Sequence, residues 1–280
     1  MIESLFSGVS GMLTNQSEMD IIGNNIANAN TTAFKSSTAD FTESFMQISR
    51  AATVNQPVGI GVGLGAQVAG TTTDFSQGVF QTTNVPTDMG INGNGWFTVQ
   101  TVGGTNLLTR DGDFVEDSNG YLRTPDGGFL MGVMGTTAPT TPTAGTPPDK
   151  IQIPATITAT GSPVVSFAVD STGAITATGQ DGSTQTVGFI TVQKFSNDNG
   201  LVNLGSNYYQ YAAAAGTDQY YQASQAGAGT IQTGVLEASN VDLSTEFANM
   251  IIAQRGFEAS AKVITTSDQM LQTVTNLKQS

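Results

Sequence analysis

Asp111, Asp113, Asp117 and Asn119 bring four oxygen-bearing side chains into one short stretch, which raises Ca²⁺ ligation or a carboxylate pair for glycoside hydrolysis. The spacing supports neither. A Ca²⁺ loop needs an acid or amide at the third alternate position, where Val115 stands, then a glycine and a distal glutamate. Turn preference accounts for all four residues, because Asp and Asn tolerate the left-handed backbone of tight turns. Gly61-Val62-Gly63-Leu64-Gly65-Ala66 matches a dinucleotide fingerprint, in which backbone amides approach a pyrophosphate. Residues 67–80, with Gly70, Gly78 and three consecutive threonines, read instead as strand and turn, so no βαβ unit surrounds it. Trp96 beside Phe97 could line a sugar groove, but it begins a strand whose alternate residues are apolar, and packing is the better reading.

Cysteine and histidine are both absent, which removes disulfides, thiolate nucleophiles, His-based triads and zinc sites built from either residue. Serine, lysine and tyrosine occur without an S-x-x-K or G-x-S-x-G arrangement, so no activated nucleophile emerges. We therefore expect no catalytic, cofactor-binding or metal-ligating residue, no cofactor, and no enzymatic activity. The 9 basic and 22 acidic side chains among 280 residues give a net charge of −13 and a pI near 4.1. Such a surface repels phosphate backbones and anionic lipid, so nucleic-acid partners are not expected. Charged residues make up only 11% of the chain, about half the usual share, and polar uncharged residues take their place. No run reaches the roughly 18 apolar residues of a membrane span, so membrane insertion is not expected. The first 34 residues carry no Lys or Arg, which argues against a conventional secretory signal.

The elements that would position any site change rhythm twice. Ile2, Leu5, Val9, Met12, Met19 and Ile26 recur at helical spacing, with Gln16 and Gly23 interrupting the seam. The same rhythm returns in Leu243, Phe247, Met250, Gln254, Phe257, Ala261, Ile264 and Leu271, with a polar slot at Asp268. Asp242 is placed to cap this second helix, Glu246 adds negative charge to its first turn, and Lys278 lies near its far end. Neither stripe has helical neighbours in sequence. The two must pair with each other as a hairpin or find partners in other chains.

Between them the pattern is β. Short strands at 95–102, 106–110, 113–116, 121–124 and 128–134 are separated by Gly103-Gly104, Asp111-Gly112, Asn119-Gly120 and Asp126-Gly127, dipeptides suited to hairpin turns, and predict a meander. A second β region spans 151–211, with turns at 171–173, 181–182 and 197–200. Residues 136–150, which hold four of the nine prolines, predict an exposed, extended loop. Residues 47–73 and 212–234 read as linkers. The expected fold class is α+β: paired N- and C-terminal helices forming a coiled-coil stalk, with a central antiparallel β body. The expected divisions are a helical domain of 1–46 plus 240–280, a connecting region of 47–87 plus 205–239, and a β body of 88–204.

Three blocks resemble a known family. Gly23-Asn24-Asn25-Ile26-Ala27-Asn28-Ala29-Asn30-Thr31-Thr32-Ala33-Phe34-Lys35, preceded by 5–12, is similar to the N-terminal signature of the bacterial flagellar axial proteins, the family of rod, hook and hook-associated subunits. Ala33 stands where many relatives have glycine. Residues 88–97 resemble the block that opens the family's β body, with Trp96 where Phe is commoner. Leu236 to Leu243, including Asn240, then Ala253-Gln254-Arg255-Gly256-Phe257-Glu258-Ala259 and 265–271, are similar to its C-terminal signature, with Ser260 where Asn is frequent.

The resemblance implies export by the flagellar secretion apparatus with the terminal segments poorly ordered, followed by their pairing as coiled helices lining a helical polymer of the chain itself. Other axial proteins (rod, hook cap, hook–filament junction) are the further implied partners, in the basal body and hook outside the cytoplasm. On that basis the apolar stripe residues from Ile2 to Ile26 and from Leu243 to Leu271 are expected to form the assembly interface. Asn24, Asn25, Ala27, Asn28, Phe34, Lys35, Asn240, Gln254 and Arg255 are expected as motif residues. Residues 73–78 and 233–239 look more like hook members, the flexible joint, whereas the length and single β body look more like distal-rod members, the stiff drive shaft. The first reading is a short hook subunit, with the distal rod as the alternative. A secreted carbohydrate- or Ca²⁺-binding β protein is a third reading that leaves the helices unexplained.

Overall fold

The computed structural model describes residues 2–50, 60–136, 143–144, 148–217 and 219–279. It is α+β, with one helix at each end of the chain, α1 (Ile2–Ala27) and α2 (Leu243–Gln279), and antiparallel strands between. The chain divides into two units: Met1–Ala29, Lys35–Asp74 and Val241–Ser280 form the first, and Asn30–Phe34 with Phe75–Asn240 the second.

In the first unit α1 and α2 pack antiparallel along a seam of small side chains. The Ser4 and Ser267 hydroxyls meet at 3.2 Å near one end. Further along, a Cβ on Gly8 would lie 2.9 Å from Ile264 Cγ1, and one on Gly11 would lie 2.9 Å from Ser260 Oγ. Glycine at these two places is what lets the helices approach. Asp242 caps α2 as its position predicts: its carboxylate accepts the Ser244 N–H at 2.9 Å and the Thr245 hydroxyl at 3.0 Å. Those bonds, that from Thr245 first, hold the Asp242 carboxyl below its ordinary range.

The stretch read as a linker at 47–73 is largely strand. Met46–Arg50 pairs with Ile60–Gly63, and Ala66–Thr73 pairs with Ser37–Glu43, both antiparallel. Residues 51–59 lie outside the described residues. The error has a physical source. Ala66–Thr73 and its partner Ser37–Glu43 expose most of their side chains, so they lack the alternation that marks a half-buried strand.

The second unit holds most of the strands. Trp96–Gln100 and Asn106–Thr109 form the expected hairpin, and Phe129–Met134 lies beside Trp96–Gln100. The simple meander stops there, because Thr184–Gln193 pairs with Phe129–Met134, Trp96–Gln100, Ala174–Gly179 and Gln219–Gln222. The two β regions thus merge into one sheet. The second supposed linker is also structured: Gln219–Gln222 joins this sheet and buries Tyr220 and Gln222, while Thr230–Thr233 forms a separate two-stranded sheet with Met89–Asn92 and buries Ile231 in the core. Most of the proline-rich loop, residues 137–142 and 145–147, lies outside the described residues; Thr143–Ala144 and Asp149–Lys150 pair with Gln219–Gln222 and Phe129–Met134.

Met89, Ile91, Phe97, Leu130, Ile175 and Ile190 belong to the main core of this unit. A second cluster surrounds Trp96, which is buried with Leu108, Phe195 and Tyr209 as the packing reading expects, and meets the Phe75 ring edge-on at 5.5 Å. The Trp96 indole donates to Asp198 at 3.2 Å.

Arg110 ties the strand ends of this unit together. Its Nη2 donates to the Gly93 carbonyl at 2.9 Å, and its Nη1 lies 3.4 Å from both the Ile91 carbonyl and the Glu237 carboxylate. Glu237 in turn accepts the Gly78 N–H at 2.9 Å. Burial pulls the guanidinium below its ordinary value, and the negative charges of Glu237 and Asp198 oppose that. Removing one member of such a pair strands the other charge in the interior. Arg110→Met should therefore destabilise the second unit by about 3–5 kcal/mol, with Arg110→Met/Glu237→Met recovering much of it. Denaturant unfolding followed through the fluorescence of Trp96, the sole tryptophan, measures both; an unchanged midpoint for the single variant would contradict the assignment.

Candidate assembly interface

The residues expected to carry assembly divide by exposure. Leu5, Met12, Met19 and Ile26 on α1, and Met250, Phe257, Ile264 and Leu271 on α2, are half-buried, while Leu243, Phe247 and Val9 are exposed. The side chain of Ile2 lies outside the described residues. The intrachain seam shares only Ile264 with this stripe and otherwise runs beside it, through Ser4, Gly8, Gly11, Thr14, Ile22 and Asn25 against Glu246, Ala253, Gly256, Ser260, Ile264 and Ser267. These small and polar residues do recur at spacings of three and four, but an apolar template passes over them.

What the seam does not cover is apolar. Phe6 (62% exposed) and Leu13 (59%) join Val9 on α1, and Phe247, Ile251 (58%), Val263, Met270 and Leu277 (71%) stand out along α2. These side chains remain exposed although the two helices are already paired.

The motif asparagines have structural roles. Asn25, buried, binds three elements of the first unit at once. Its Nδ2 donates to the Ser37 carbonyl at 2.8 Å and to the Glu246 carboxylate at 3.0 Å, and its Oδ1 accepts the Ser37 N–H at 3.0 Å. It thereby joins the end of α1, the start of the Ser37–Glu43 strand and the first turn of α2. Asn28 donates to the Asn24 carbonyl at 2.9 Å and to its side-chain oxygen at 3.1 Å, closing the last turn of α1. Ala27 is exposed, Phe34 half-buried and Lys35 buried. In the second unit Asn240 donates to the Ser76 carbonyl at 3.3 Å and hydroxyl at 3.1 Å. Gln254 is exposed, and Arg255 forms an exposed pair with Glu258 at 2.8 Å, a contact that adds little stability. Ala33, the departure from glycine, is buried with φ 55°, the left-handed region where glycine is the unstrained residue.

The residues first weighed for chemistry serve turns. Asp117 accepts the Ser118 N–H at 2.8 Å and pairs with Arg123 at 3.2 Å, and Asp111 accepts the Asp113 N–H at 3.3 Å. Burial raises the carboxyls of Asp111 and Asp113 above their ordinary range. Among the described residues no three acidic side chains converge as a metal site would require. Gly61–Ala66 runs from the strand Ile60–Gly63 into the strand Ala66–Thr73, with Gly65 at φ 110° in the connection, and opens no helix.

Asn25→Ala would leave the Ser37 peptide group and Glu246 without their partner, with an expected loss of about 2–3 kcal/mol from the first unit. Thermal melting of the helical circular dichroism signal measures it; a shift within error would remove Asn25 as the clasp.

Comparison with known proteins follows the same geometry. Residues 5–35 match the family described as "Flagella basal body rod protein", residues 90–177 "Flagellar hook protein FlgE/F/G D1 domain", and residues 232–277 "Flagellar basal body rod FlgEFG protein C-terminal". The flagellar basal-body rod protein FlgG of Bacillus subtilis (strain 168) is 37% identical over 284 residues, covering 99% of this chain and all of that protein. FlgG of Borreliella burgdorferi is 36% identical, covering 99% of each. The flagellar hook protein FlgE of B. burgdorferi is 26% identical over 443 aligned positions, with 99% of this chain and all of that protein covered. The alignment of all three terminal and central blocks, end to end, establishes that the chain belongs to the flagellar rod and hook family, the axial proteins of the flagellar basal body and hook.

Proposed function

We propose that this chain is a non-enzymatic structural subunit of the distal rod, the drive shaft of the basal body, rather than a short hook protein. The observation that carries the reading is length. Rod relatives align over 284–285 positions from end to end, so neither chain has a large segment the other lacks. The 443-position alignment with the hook relative, set against 280 residues here, leaves at least 163 positions facing no residue of this chain. That hook relative thus carries a large segment that has no counterpart here, which favours the rod reading.

The surface of the helices supports polymerisation. A subunit that must contact several copies needs apolar area left over after its own helices have paired, and Phe6, Leu13, Phe247 and Ile251 supply it. Head-to-tail repetition of such contacts gives an open helical polymer. The partners under this reading are further copies of the chain and the neighbouring axial proteins at each end. The flagellar secretion apparatus would export the chain, with the ordering of the terminal helices deferred to assembly.

Two experiments test it. A strain lacking the gene should show neither rod nor hook beyond the proximal basal body in electron micrographs; complete rods without hooks would return the hook reading. Leu13→Ser and Ile251→Ser, both at exposed positions, should change monomer stability by no more than about 0.5 kcal/mol yet abolish assembly. Normal rods built from the double variant would show that this face is not the interface.

A further inference from the structure

Residues 30–34 lie in sequence between α1 and the Ser37–Glu43 strand, yet by their contacts they belong to the second unit. Four groups of that unit receive them. The Asn207 amide donates to the Thr32 carbonyl at 2.7 Å, and the Thr32 hydroxyl hydrogen-bonds the Asp111 carboxylate. The Ala33 N–H donates to the Glu237 carbonyl at 2.7 Å, and the Asn240 N–H donates to the Phe34 carbonyl at 3.4 Å. The Ala33 methyl is 2% exposed.

Each receiving group is held by something other than the strap. Arg110 and Gly78 fix the Glu237 carboxylate, and Ser76 fixes the Asn240 side chain. Asn207 sits with Ser206 in a tight turn, both left-handed (φ 60° and 52°), between the paired strands Val202–Gly205 and Tyr208–Gln210. The Asp111 N–H is taken by the Thr109 hydroxyl at 3.0 Å. The seat is thus preformed, while the strap carries a strained, left-handed alanine at its centre, and relief of that strain favours its leaving. Local opening of this kind lies below the free energy of global unfolding.

The geometry points to a latch: residues 30–34 leave and re-enter a standing seat on the second unit, and closure becomes complete when α1 is covered by neighbouring copies in the polymer. α1 ends at Ala27, three residues before the strap, so whatever orders the helix shortens the chain that can swing the strap away. The coupling to assembly rests on the rod-subunit reading; the seat itself does not.

The chain contains no cysteine, so single cysteines report opening directly in the full-length protein. Ala33→Cys in the strap is compared with Ala177→Cys in the core, whose native alanine is 0% exposed. In the monomer a neutral thiol reagent should label position 33 at least about 100-fold faster than position 177. Asn207→Ala should raise the rate at 33 by about 10-fold and leave 177 unchanged, and polymerisation should lower it by at least about 10-fold. Equal rates at 33 and 177 in the monomer would overturn the latch, since the strap would then leave only with global unfolding. An unchanged rate at 33 on polymerisation would overturn the coupling. Failure of the chain to polymerise at all would instead count against the rod reading, with the monomer comparison still decisive for the latch. Amide exchange of Ala33 against Ile190 in the unsubstituted chain makes the same comparison without relying on either cysteine variant to fold.

Discussion

A single buried charge organises the β unit. Arg110 leaves the end of one hairpin strand and reaches two carbonyls of the Ile91–Gly93 turn and the carboxylate of Glu237, a residue 127 positions away in sequence. Its guanidinium also lies 5.5 Å from the Trp96 ring centroid, so the second aromatic cluster is built against it. A buried ion of this kind contributes little net stability relative to an apolar substitute of the same shape. Its effect is to make one arrangement far better than its neighbours. A shift of Val235–Glu237 against its partner strand Phe80–Thr82 would leave a charge without its counter-ion.

The helical unit follows a different rule. A protein that ends its life as a monomer buries its most apolar helix positions against itself. Here α1 and α2 meet largely through serine, glycine, alanine, threonine and asparagine, with Ile22 and Ile264 among them, and leave Phe6, Leu13, Phe247, Ile251 and Leu277 outward. Small side chains allow close approach but bury little area, so the intrachain pairing is modest by the usual reckoning of area removed from water. Low charge fits this arrangement, because few ion pairs have to be desolvated where polar uncharged surface meets its neighbour.

Three features were legible in the chain of residues: the two helices, the Asp242 cap, and the hairpins at Gly103-Gly104, Asn119-Gly120 and Asp126-Gly127, whereas Asp111-Gly112 joins strands that do not pair. Each is set by local rules, namely helical periodicity, a cap two residues from the N–H it satisfies, and dipeptides that fold left-handed. The expected strand at 106–110 ends one residue later than the observed Asn106–Thr109, whose pairing with both neighbouring strands stops at Thr109. The supposed linkers were misread because composition reports burial and not pairing. Ala66–Thr73 is a strand with both faces in solvent, and Gln219–Gln222 buries amide and phenol groups that score as polar.

By itself the sequence determined the kind of protein: the absence of cysteine and histidine, the acidic balance, the two helical stripes and the signature blocks are properties of residue type and spacing. Only the tertiary structure decided which face of each helix pairs within the chain, that Asn25 clasps three elements and that Glu237 is the counter-ion of Arg110. It also decided that residues 30–34 seat on the β unit. The reason is the same in each case. These choices depend on partners tens to hundreds of residues away, and a periodic pattern states which side of an element is apolar without stating what will lie against it.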